Sequence, residues 1–139
     1  MSIIDNALQQ CVNMYTDTHV IVEQKTTALG DWIIEKHPDG VLRMLLDGQA
    51  TVVLNYSANG SLIIAGYTLE FPEESITTAL VNCSTHENNA TSFLGTATAG
   101  DNRTNARMIF QAGTAATSVR TQHSVEIIGR WKQKNRRQK

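Results

Sequence analysis

The chain is poor in the residues that usually announce a chemistry. Its 139 residues include two cysteines, two prolines, four histidines and eight aromatic side chains. Cys11 and Cys83 stand too far apart for a metal or redox pair, and both read as small buried apolar residues. His19, His37, His86 and His123 fall at no ligand spacing from one another or from a cysteine, so no metal or other cofactor is expected. There is no phosphate loop, no nucleophile elbow and no zinc-protease helix, and the chain reads as a non-enzyme. No apolar run approaches the roughly 18 residues that a spanning helix needs, so membrane insertion is not expected. Charged residues are 18% of the chain, below the usual fraction of about a quarter. A net charge of −1 makes no field that would gather nucleic acid. Five of the twelve Lys and Arg sit together at the end, as Lys132, Lys134, Arg136, Arg137 and Lys139. That tail has no aromatic ring to stack on bases. Residues 133–139 are therefore read as a disordered, solvated basic tail with no nucleic-acid partner. The start, MSIIDNALQQ, has neither a basic cluster nor a continuous apolar stretch, and synthesis in a cytosol without an export signal is the expectation.

What is present is hydroxyl-rich and β-prone. Sixteen Thr and eight Ser accompany a hydrophobic fraction of 41%, a globular composition for one domain. Ile4, Leu8, Cys11, Tyr15, Thr18 and Val22 alternate spacings of four and three, a heptad pattern. Residues 1–29 thus read as a short helix or stalk segment. From residue 30 onward no helical period persists. Strand-like runs are predicted at 31–36, 41–46, 51–56, 61–71, 76–83, 91–97, 106–110 and 117–131. Turn residues punctuate them, with Asp47-Gly48 and Asn59-Gly60 as hairpin signals. About eight strands at this spacing predict an all-β, antiparallel β-sandwich over residues 30–132.

Three segments carry a resemblance. Val125-Glu126-Ile127-Ile128-Gly129-Arg130-Trp131-Lys132 resembles the closing strand of C-terminal receptor-binding (tip or knob) domains of bacteriophage tail fibre proteins. Trp32-Ile33-Ile34-Glu35-Lys36 resembles their opening strand. Leu69-Glu70-Phe71-Pro72, with Ile76 and Val81, resembles a middle segment, although the second proline of that pattern is absent. The three occur in the same order and span residues 30 to 132. The resemblance implies a homotrimer joined through the N-terminal segment to other tail proteins. It implies a virion tail location after synthesis in the host cytoplasm. It also implies adhesion to a bacterial surface glycan or protein during adsorption.

If every predicted strand crosses the sandwich once, alternate turns share an end. The turns at 37–40, 57–60, 84–89 and 111–115 then lie away from the stalk. They offer His37, Asp39, Asn59, His86, Glu87, Asn88 and Asn89 as receptor-binding residues, on loops, where recognition usually sits. Asp39-Gly40 and Asn59-Gly60 are equally explained as turn formers. Two other functions stay open: a structural decoration or tail-assembly protein without a receptor, and a polysaccharide-acting enzyme. The enzyme needs paired carboxylates, and Asp39, Asp47, Glu70, Glu73, Glu74, Glu87, Asp101 and Glu126 show no readable pairing. Replacing Glu87 and Asn88 together with alanine is expected to lower adsorption to host cells without changing the melting temperature. Unchanged adsorption would remove the 84–89 loop from the site.

Overall fold

In the computed structural model, residues 3–86, 92–97, 101–112 and 118–133 are described. They form one helix and ten strands. The helix, α1, is Ile3–Thr18. The first five strands are β1 Ile21–Thr27, β2 Gly30–Lys36, β3 Val41–Leu46, β4 Ala50–Asn55 and β5 Ser57–Asn59. The others are β6 Leu62–Glu70, β7 Leu80–Thr85, β8 Ser92–Ala97, β9 Asn105–Gln111 and β10 Ser118–Arg130. Every ladder is antiparallel. One sheet runs β1-β2-β3-β10-β4 with β7 on the other side of β10, and the second runs β5-β6-β9-β8. The expected antiparallel all-β fold with a short N-terminal helix is what forms.

Strand alternation builds the core. Trp32, Ile34, Leu42, Met44, Leu54, Val125 and Ile127 on the first sheet are buried. They meet Ala65, Leu69, Ala106, Met108 and Phe110 of the second, as period-two patterning requires. At the β1–β2 edge, charges replace apolar contact. Lys36 bridges Glu23 at 3.3 Å and Glu73 at 3.0 Å. Lys25 Nζ donates to the Pro72 carbonyl at 3.1 Å. Charged side chains on an edge strand also discourage further strand pairing.

Three expectations are corrected. The sheet begins at Ile21, not Gly30: residues 21–27 pair with β2 over their whole length, so the segment 1–29 is not all stalk. Val22 fits both a heptad and a strand, and pairing with β2 decides for the strand. The short β5 is the other added strand, at residues expected to form a turn. Asp47-Gly48 closes no hairpin. β3 and β4 both lie antiparallel along β10, so residues 41–55 make one broken crossing. Between the Leu45–Glu126 and Ala50–His123 pairs, this crossing spends five steps where β10 spends three. Two extra residues are accommodated in a kink, where Gly48 takes a φ of 94° that favours glycine.

The C-terminal end of β10 closes the sandwich. Gly129 faces the 71–79 segment, and Ser75 Oγ accepts from the Arg130 amide at 3.0 Å while donating to the Thr77 carbonyl at 2.6 Å. The Ile76 amide returns a bond to the Arg130 carbonyl at 2.9 Å. Trp131 then folds across the β2–β3 turn. Its indole N–H donates to the His37 carbonyl at 2.7 Å, and its amide to the Gly40 carbonyl at 3.0 Å. A methyl group on Gly129 would overlap Ser75 Oγ and press on Ala79 Cβ at 3.3 Å. Gly129→Ala is therefore expected to lower the unfolding free energy by about 1–3 kcal/mol, read from urea denaturation. A midpoint equal to that of the parent chain would disprove the close packing.

Candidate functional site

The residues expected to bind together do not share one end. Because β3 and β4 are a single crossing, the turn count shifts by one. The β2–β3 turn with His37 and Asp39 lies where β10 finishes, against Trp131. Asn59, whose backbone pairs with Leu62 across the β5–β6 turn, lies towards the end where β10 starts, opposite Asn55. His86 follows β7 on that same half, its amide donating to the Gln122 carbonyl at 2.8 Å. Glu87, Asn88 and Asn89 lie outside the described residues.

His37 and Asp39 serve the fold. The His37 ring nitrogen Nε2 is 2.9 Å from Glu35 Oε1. Asp39 Oδ1 accepts from the Val41 amide at 3.1 Å, and the Asp39 carbonyl accepts from the Arg130 guanidinium at 2.7 Å. The turn is a seat for the Arg130-Trp131 end of the chain. The two cysteines also depart from expectation: Cys11 is exposed on α1, and Cys83 is only half-buried. Burial pushes the Cys83 thiol up to about 12. It stays protonated at neutral pH and supplies no thiolate.

A different surface offers itself, on the outer face of the first sheet. Along β7, Leu80, Asn82 and Ser84 point outward, and on β10 so do Ser124, Glu126 and Ile128. The ladders set Asn82 opposite Glu126, and Ser84 opposite Ser124. On the far side of β10, Glu126 pairs with Leu45. Leu45, Asn82, Ser84, Ser124 and Glu126 line an open groove of about 310 Å³ over the β7–β10 seam, floored by Cys83 and Val125. That is the lower end of the range for small-ligand sites. His86 sits at its rim, with Nε2 2.9 Å from Ser124 Oγ.

The one formal charge in the groove is held from behind. Arg43 Nε donates to Glu126 Oε2 at 2.6 Å, and Arg43 Nη1 donates to Glu35 Oε2 at 3.3 Å. Asn82 Nδ2 donates to Glu126 Oε1 at 3.3 Å. A polar line thus crosses four strands, from His37 through Glu35, Arg43 and Glu126 to Asn82. The Arg43 bond, and then the Asn82 bond, hold the Glu126 carboxyl below its ordinary range. The groove therefore presents a mostly apolar lining with a few amide and hydroxyl groups among it, and a carboxylate already compensated.

None of the groove residues was among the receptor-binding residues named from the sequence, although Ser84 lies in the 84–89 turn and Glu126 was one of the candidate carboxylates. Their alternation was legible, since every second residue of 80–84 and 124–128 faces one way. Which strand lies beside which was not, and a site on a sheet face is made by that adjacency. No protein-family model, curated protein or solved structure matches the chain. Fold and groove together define a class: an all-β protein of two packed antiparallel sheets with a largely uncharged groove on an outer face.

Arg43→Gln removes the compensating cation. The Glu126 side-chain carboxyl is expected to titrate below the ordinary glutamate range in the parent chain, and to move back towards it in Arg43→Gln. Carbon-detected NMR titration measures both, and identical midpoints would mean that the pair does not hold in solution.

Proposed function

We propose that this protein is a bacteriophage tail-fibre or tail-tip module that binds a bacterial surface, with the groove over the β7–β10 seam as its contact. The single observation behind the binding role is that groove: an open, mostly apolar sheet surface set with Asn and Ser side chains around Leu45, its carboxylate paired internally. Hydroxyl-bearing chains such as surface glycans match neutral donors and acceptors set beside an apolar patch. A free carboxylate there would instead select cations. The phage assignment leans on the three segments that resemble tail-fibre tip domains. The Gly129-Arg130-Trp131 ending has a physical rationale in this reading, because each residue closes the sandwich.

The homotrimer is part of the same proposal. Every described side chain of α1 is exposed, including Ile4, Leu8, Cys11 and Met14. Asp5 in the first turn suits the helix dipole, and Thr18 Oγ1 donates back to the Met14 carbonyl at 2.9 Å at the last turn. A helix of 16 residues is marginal in water without packing. A stripe spaced by fours and threes packs on its own copies in a parallel bundle. Three heads on one axis then turn weak single contacts into avid attachment.

The experiment uses the full chain, labelled, on a panel of bacterial strains. Cosedimentation with some strains, reversed by those strains' purified surface polysaccharide, is expected. The double change Asn82→Ala and Ser124→Ala is expected to weaken binding about tenfold or more, at one kcal/mol-scale hydrogen bond lost per site. Its melting temperature should stay near that of the parent chain. Binding to no strain, or full binding by the double variant, would refute the groove as the contact. Light scattering at the mass of a single 15.3 kDa chain would refute the trimer.

A further inference from the structure

His123 is the buried titratable residue at the centre of the sandwich. It is fully buried, on the inner face of β10. Its ring stacks on Phe110 of β9, with centroids 4.4 Å apart and planes 10° from parallel. Tyr67 of β6 stacks at 5.8 Å from both rings, so one strand of the first sheet and two of the second meet in a three-ring stack. The backbone of His123 pairs with Thr85 of β7 on one side and Ala50 of β4 on the other.

The surroundings suit a neutral ring and not a cation. Tyr67 Oη lies 3.4 Å from Nδ1, and burial raises the Tyr67 hydroxyl well above its usual value, so it keeps its proton and offers the ring a neutral partner. Nε2 has no partner among the described residues, and neither has the neighbouring Thr121 hydroxyl. Among the described residues, the titratable groups that act on the ring or on its partner Tyr67 are Tyr67 itself, Cys83 of β7 through Tyr67, and His86 beyond the end of β7. None is a carboxylate. Stacking on Phe110 favours a cation somewhat, but it replaces little of the hydration that an imidazolium loses on burial.

We propose that His123 is an acid-sensitive tie between the two sheets: neutral, it fills the core across β6, β9 and β10; protonated, it demands water and loosens the β7–β10 seam. The groove is built on that seam, since Ser124 follows His123 and Ser84 precedes its partner Thr85. Acid would therefore remove the groove together with the packing. The inference does not depend on what the groove binds.

Burial, with His86 adding to it, lowers the His123 pKa from the usual 6.5 to about 4. A lowered histidine value means that the unfolded chain binds the proton first. The tie is at full strength above pH 6.5 and is lost progressively as pH falls towards 4. The unfolding equilibrium constant is expected to rise about 20-fold between pH 7 and pH 5 from this group alone. Unprotonated in either state, His123→Phe should lack that step, and His86→Asn should keep it. Urea denaturation of the three full-length chains at the two pH values reads the difference. Nitrogen-15 NMR of the histidine rings in the parent chain adds a readout that needs no variant: the His123 ring should stay neutral in the native state at pH 5. Parallel pH dependence of the parent and His123→Phe chains would overturn the proposal, as would a native His123 ring titrating near 6.5. Should His123→Phe fail to fold, the ring titration decides by itself.

Discussion

The architecture rests on β10. Its thirteen residues pair with β4 over the first half, with β3 over the second and with β7 along the opposite edge. The β4 and β3 ladders run along one side of it, and the β7 ladder pairs His123 to Ile128 on the other, so its middle is a central strand. Its inner face carries Thr121, His123, Val125 and Ile127 into the core, and its outer face carries Ser124 and Glu126 into the groove. Its last residues then hold the 71–79 segment and the β2–β3 turn. Core and groove thus alternate along one strand and closure follows at its end, so a disturbance in one is passed to the others through the shared backbone.

Polar groups are distributed along that strand by depth. On the outer face, Glu126 has a guanidinium and an amide to receive its charge. On the inner face, His123 has aromatic rings and a hydroxyl, but no counter-charge among the described residues. The same physics gives opposite results: a carboxylate with donors ionises more easily, and an imidazole buried without a counter-charge resists protonation. Asp101 follows the first pattern. Its carboxylate accepts from the amides of Thr104 and Arg103, both at 2.8 Å, which holds it strongly ionised and fixes the turn at 101–105 that leads into β9.

Much of this was legible in the residues. Period-two alternation in 31–36, 41–46 and 106–110 marks strands that do form, and Trp32, Met44 and Phe110 are core because that alternation points them inward. The helix was legible from Ile4, Leu8 and Cys11. Where the reading failed, one local pattern had two tertiary solutions. Asp47-Gly48 suits a hairpin, yet it also suits a kink in a strand held by a long neighbour. Residues 21–27 continue a heptad, yet they also complete an edge beside β2. A single miscounted crossing then separated His37 and Asp39 from Asn59 and His86.

What the chain determines by itself is local: which residues prefer extended backbone, which face of each strand is apolar, where glycine permits a turn, and that the composition is neutral and hydroxyl-rich. Those preferences act through bonds and neighbours close in sequence, so they can be read along it. What only the tertiary structure decided is adjacency: β7 beside β10 rather than β8, Arg43 behind Glu126, Tyr67 and Phe110 over His123. Such contacts join residues tens of positions apart, and no short-range preference distinguishes them from their alternatives. The packing of two sheets into one core selects them, and both the groove and the buried imidazole exist only through that selection.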